Sequence, residues 1–136
     1  MTYRFTARVA GGDEAFDDDY RDAGVAEFED GSGFLLIFMS AIEEADEQDT
    51  SLGMDTHCLV TADQGTAYGC VREITLRDGT LRVVLDPAAL ENLGVDDPVI
   101  EAVLQAPEAD VNRMRDVLRR ICAYGREDAR PTLVDL

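Results

Sequence analysis

Phe34-Leu35-Leu36-Ile37-Phe38-Met39 is the stretch on which the fold turns. It is too short for an ordinary buried helix and is made of strand-forming types, so it predicts a strand that is apolar on both faces. Such a strand belongs in the middle of a sheet. Just before it, Asp30-Gly31-Ser32-Gly33 reads as a hairpin turn, and Val25 to Glu29 alternates as the partner strand. Just after it, Ala41 to Thr50 carries Glu43, Glu44, Asp46, Glu47 and Asp49 and no basic residue. That segment reads as a solvated loop, or the frayed end of a strand or helix.

Farther out the same logic continues. Tyr3, Phe5, Ala7 and Val9 share one face of a strand and Arg4, Thr6 and Arg8 the other, the period-two pattern of a half-buried strand. Gly11-Gly12 is expected to end it, and Asp13 to Asp22, with Asp17-Asp18-Asp19 inside, to form an acidic loop. Thr56 to Thr61 and Thr66 to Leu76 are expected strands joined by Ala62-Asp63-Gln64-Gly65. Gly69 within the second marks a bulge or a close backbone approach. Asp78-Gly79 makes a tight hairpin to Leu81–Leu85. Asp86 is a good N-cap and Pro87 a good first residue for a short helix that Gly94 ends.

Val99 to Leu104 is one more strand. Pro107 to Tyr124 is the main helix, because Val111, Met114, Val117, Leu118 and Ile121 recur at three- and four-residue spacing. Gly125 stops it. Residues 126–136 are expected as a tail or as an edge strand through Thr132-Leu133-Val134. The sum is an α+β fold. Its sheet is mainly antiparallel and curved or two-layered, with six or seven strands. A short helix follows the fifth or sixth strand, and the C-terminal helix packs on the sheet. With no repeat and no linker, residues 1–136 are read as one domain.

A chain of 136 residues, 46% of them apolar, can bury a core without disulfides or metal. No apolar run reaches the ~20 residues of a membrane span. Residues 1–8 lack a signal peptide's apolar block, so a cytoplasmic location is expected. Cys58, Cys70 and Cys122 form no C-x-x-C pair and read as free thiols. Charge is the loudest feature: 29 carboxylates against 12 basic residues, all arginine, for a net charge of −17. Such a surface repels nucleic acid and anionic membranes and favours a basic partner. Solubility, a salty cytoplasm or a GC-rich genome would leave the same imprint, so an acidic structural or small-ligand-binding domain stands as the alternative.

No set of residues for catalysis emerges. His57 is the single histidine and stands beside Cys58, where adjacent strand residues face opposite sides. It reads as a half-buried strand histidine, not a base. Neither Asp17-Asp18-Asp19 nor Asp46-Glu47-Gln48-Asp49 has calcium-loop spacing, the cysteines and histidine match no zinc pattern, and no glycine-rich loop opens a helix. No cofactor, no metal and no enzymatic activity are expected.

Leu52-Gly53-Met54-Asp55-Thr56 stands between the acidic stretch and a strand. On its own it reads as a turn: Gly53 can take positive φ, Asp55 can accept backbone N–H groups, and Met54 can anchor in the core. The same element resembles the bacterial polymorphic-toxin immunity proteins of the family called immunity protein ten. The likeness extends through Tyr68-Gly69, the strand Leu81–Leu85, the short helix from Pro87 to Leu90 and the closing helix, roughly Tyr3 to Tyr124. His57 departs from it, standing where an aromatic such as tyrosine is expected.

The resemblance implies an antidote that binds a toxin domain and blocks it. Many such toxins are nucleases with basic clefts, and an acidic surface can steer toward such a cleft while aromatic anchors supply affinity. The expected partner-binding residues are Phe16, Asp17, Asp18, Asp19, Tyr20, Glu43, Glu44, Asp46, Glu47 and Asp49. Leu52, Gly53, Met54, Asp55, Thr56, Tyr68 and Gly69 are expected to serve structure. No nucleic acid or membrane partner is expected, and homo-oligomerisation is left open.

Overall fold

Arg8 interrupts what alternation alone presents as one strand. In the computed structural model, which describes residues 2–42, 56–62 and 65–136, β1 (Thr2–Ala7) and β2 (Val9–Ala15) fall in different sheets. The remaining strands are β3 (Tyr20–Ala26), β4 (Leu35–Ala41), β5 (Cys58–Thr61), β6 (Thr66–Tyr68), β7 (Val71–Arg77), β8 (Thr80–Leu85), β9 (Val99–Leu104) and β10 (Leu133–Asp135). Among the described residues two helices join them, α1 (Leu90–Leu93) and α2 (Glu108–Cys122). The class is α+β, with ten strands among the described residues in place of the expected six or seven.

One five-stranded sheet is an antiparallel meander in the order β2-β3-β4-β5-β6. The other is mixed, in the order β1-β9-β8-β7-β10. Two of its pairings are parallel, β1 with β9 and β10 with β7. A reading built on sequential hairpins misses both, because their partners lie far apart along the chain. It also runs Thr66 to Leu76 together, where Gly69 at φ +62° lets the chain leave β6 in one sheet and enter β7 in the other.

Gly11-Gly12 does not end a strand. β2 passes through both glycines, and the expected acidic loop is largely a β2–β3 hairpin in register from Val9↔Ala26 to Ala15↔Tyr20. The reason for Gly12 lies in α2. A Cβ there would stand 2.9 Å from the Arg113 carbonyl oxygen and 3.0 Å from Val117 Cβ, so its absence lets the helix sit against the strand. α2 packs on β2 and β3 through Met114, Val117, Leu118 and Ile121, all fully buried. Val111, expected to be buried with them, is half-buried in the first turn. One apolar cluster draws on the inner faces of both sheets and on the helix.

The local signals hold elsewhere. β4 is the middle strand of the meander. Asp86 caps the turn before α1, with Oδ1 accepting from Ala88 N at 3.0 Å, and Gly94 closes α1 at φ +67°. Asp78 and Gly79 both take positive φ, as the tight β7–β8 hairpin requires. Residues 133–135 form the edge strand, and Arg119 reaches the Leu136 carbonyl.

Candidate functional site

The β2–β3 hairpin brings five of the expected partner-binding residues to one end of the meander. Phe16–Asp18 make a single 3-10 turn at its tip, and Asp19 closes the turn at φ 55°. Phe16 is 69% exposed, Asp17 and Asp18 are exposed, and Tyr20 lies at the start of β3 on the outer face. Asp19 also has a structural duty: its Oδ1 accepts from Ile42 N at 3.1 Å, tying the tip to the end of β4. Glu43 follows Ile42 in the sequence. Glu43, Glu44, Asp46, Glu47 and Asp49 lie outside the described residues, as do Leu52, Gly53, Met54 and Asp55.

The described part of the Gly-Met-Asp-Thr region has structural contacts. Thr56 is buried and its hydroxyl donates to the His57 carbonyl at 3.0 Å; Gly69 N donates to the same oxygen at 2.9 Å. Tyr68, beside that contact, is half open to solvent. His57 is fully buried, not half-buried. Its Nε2 accepts from Val71 N at 3.1 Å, so the neutral ring carries its proton on Nδ1, which has no partner among the described residues. Burial, with the Arg72 charge behind it, brings the imidazole pKa down to about 4. Burial pushes the Cys70 and Cys122 thiols up to about 12 and raises Cys58 as well, so none is an activated nucleophile. Among the described residues no group of His, Cys, Asp and Glu is arranged to hold a metal ion.

The inner face of the hairpin is electrostatically closed near its tip. Glu14 points toward α2, its side chain 9% exposed, and meets Arg21 and Arg120 at 2.6 Å each, with Arg113 at 3.9 Å. The Arg21 hydrogen bond, backed by the Arg120 and Arg113 charges, holds the Glu14 carboxyl below its ordinary range.

The outer face of the same hairpin is different. Val9, Gly11 and Asp13 continue the period-two alternation, and the register sets them against Ala26, Gly24 and Asp22. Leu35, Ile37 and Met39 of β4 extend these three rows. The glycine row floors an open depression of ≈ 320 Å³, walled by Val9, Ala26, Leu35 and Ile37 and bordered by Asp13 and Asp22. Gly24 is required by the sheet itself, since a Cβ there would come within 2.5 Å of the Leu36 carbonyl oxygen; at Gly11 a Cβ would meet nothing within 4 Å. Burial, and then the Asp13 charge opposite, raise the Asp22 carboxyl above its ordinary value. This face is hidden in the sequence because Gly11-Gly12 reads as the end of a strand. The readable signal was the mirrored spacing Val9/Gly11/Asp13 and Asp22/Gly24/Ala26.

A sequence model of the family described as immunity protein 10 matches residues 6–112. The chain belongs to the immunity protein 10 family. The matched stretch takes in the whole meander, β7 to β9 and the first turn of α2, so both the hairpin tip and the glycine-floored face fall inside the family's region. The rest of α2 and β10 lie beyond it. No curated protein and no solved structure matches the chain. Among the described residues no helix of this immunity protein is long and apolar enough to cross a membrane.

Proposed function

We propose that this family member binds the toxin domain of a bacterial polymorphic toxin in the cytoplasm and neutralises it by occupying its working surface, without catalysis of its own. The observation that carries the reading is the acidic hairpin tip in a chain of an immunity family. Phe16 stands exposed beside Asp17 and Asp18, presenting an aromatic anchor within negative charge. A net charge of −17 draws a basic partner at long range, and the basic phosphate-holding cleft of a nuclease is the partner surface it suits. Glu43, Glu44, Asp46, Glu47 and Asp49, following Ile42 in the chain, add to the same acidic surface in this reading.

Co-expression with the toxin domain encoded beside it tests the proposal. Cells carrying the intact chain should survive the toxin. Replacing Asp17, Asp18, Glu43, Glu44 and Asp46 by Asn or Gln should leave the fold intact, slow association and flatten its salt dependence. Survival with association as fast as the parent's at low salt would place the contact elsewhere. Death of cells that express the intact chain would remove the antidote reading altogether.

A further inference from the structure

β4 is apolar on both faces, yet the described elements cover only one. Leu36 and Phe38 are buried against the core, while Leu35, Ile37 and Met39 stay half-buried on the outer face. A strand with this composition is normally covered on both sides. Next to it Gly11 occupies a strand position with open space where a side chain would go. A glycine inside a strand is destabilising relative to alanine. The fold does not require it, and it keeps the depression open.

The charge on this face is also unanswered. Asp13 and Asp22 lie directly opposite across β2–β3, and no arginine of the described residues pairs with either. No strand of the meander sets a basic side chain on its outer side. Glu14, one residue from Asp13 and on the inner side, is met by three arginines. Two facing carboxylates of which one is partly desolvated form a receptor for a cation. A second copy of this chain is a poor occupant, since it would bring the same carboxylates and another net −17 to the contact.

We infer that the outer face of the meander, and not the hairpin tip alone, seats the toxin, through a toxin segment that places an apolar side chain in the glycine-floored depression and an arginine or lysine between Asp13 and Asp22. This rests on the toxin reading above and names where the partner sits. The apolar side chain covers Ile37 and Leu35 and supplies the anchor. The basic group bridges the two carboxylates, for which a planar guanidinium is well shaped. Tyr20, at the head of β3 on the same face, joins this surface to the tip, so the exposed acidic residues steer and the face holds.

The test measures binding of the toxin domain encoded beside this chain, inactivated by mutation, to four proteins: the parent, Gly11→Leu, Asp13→Asn with Asp22→Asn, and Glu73→Gln on the mixed sheet as a control. Gly11→Leu fills the depression from a position with room for it, so its urea midpoint should equal or exceed the parent's. Its Kd should rise at least about 100-fold, the scale of a lost central anchor. The double Asn variant should lose at least about tenfold, mainly in the dissociation rate, as for a truncated buried charge pair. Glu73→Gln should bind as the parent does. Gly11→Leu binding within twofold of the parent would overturn the face while leaving the antidote reading intact. No complex with the parent would overturn both. A parent that is dimeric in light scattering, and becomes monomeric as Gly11→Leu, would assign the face to a second copy and overturn the proposal.

Discussion

Gly11 and Gly12 are neighbours in one strand, and the structure assigns them opposite responses to the same substitution. In Gly12→Ala the new Cβ would lie 2.9 Å from the Arg113 carbonyl oxygen and 3.0 Å from Val117 Cβ and Cγ2. Carbon atoms are comfortable at about 3.5–4.0 Å, so the shortfall is about 0.5–1 Å. Two of the obstructing atoms are a backbone oxygen and a Cβ, which no rotamer change removes. The helix must therefore move off the strand, loosening Val117 and stretching the 3.2 Å bond from Arg113 Nε to the Gly12 carbonyl. Overpacking of this kind costs about 1–3 kcal/mol.

Against it stands a gain of about 0.4–1 kcal/mol from a less flexible unfolded chain. The net loss should be about 0.5–2 kcal/mol, or a fall in urea midpoint of roughly 0.25–1 M at an m-value of about 2 kcal/mol/M, usual for small domains. Gly11→Ala meets nothing within 4 Å and should keep the gain alone, raising the midpoint. Chemical denaturation of the two variants beside the parent decides the matter. Equal midpoints, or a rise in both, would show that α2 does not sit on Gly12 as described.

Leu118 is fully buried in the helix stripe, so Leu118→Ala should cost about 2–4 kcal/mol in denaturant unfolding; a loss below about 0.5 kcal/mol would take the stripe out of the core. His57 binds its proton only near pH 4 in the fold but at its ordinary 6.5 when unfolded, so the unfolded chain holds more protons between those values. Its contribution to stability is therefore complete above pH 6.5 and lost as pH falls through 4, about 3 kcal/mol in all. The imidazole proton signals should stay unshifted from pH 8 to 5, and titration near 6.5 would refute the buried neutral ring. The net charge of −17 should make melting temperature rise by several degrees from low salt to about 0.5 M NaCl as self-repulsion is screened; a flat response would mean that the carboxylates are already compensated locally.

What could be read from the sequence was what is local. β4 in mid-sheet, the Asp78-Gly79 hairpin, the Asp86 cap and the Leu118 stripe each follow from a few adjacent residues, and the structure has them all. Two layers were allowed for, but the points where the chain crosses between them were not legible, because Arg8 reads as one more residue of a continuous strand and Gly69 as a bulge within one. The parallel partners of β1 and β10 were hidden by distance along the chain. At the candidate site the acidic tip was visible as composition. The facing pair Asp13 and Asp22 became visible only with the register, since they stand nine positions apart in sequence.

The split between the sheets sets an order on synthesis. β2 through β6 form one unbroken stretch in which every pairing joins consecutive strands, so the meander can close as soon as it is made. β1 precedes it yet must wait, because Thr2 pairs with Val99 and the whole meander lies in between. Closing so long a loop costs entropy before any contact rewards it. The residues of α2 that seal the inner side of β2 and β3 come later still. A half-made chain thus has the outer side of its meander in place while Leu36, Phe38 and Leu59 on the opposite side await their cover, and for that interval it is sticky on both sides of one sheet.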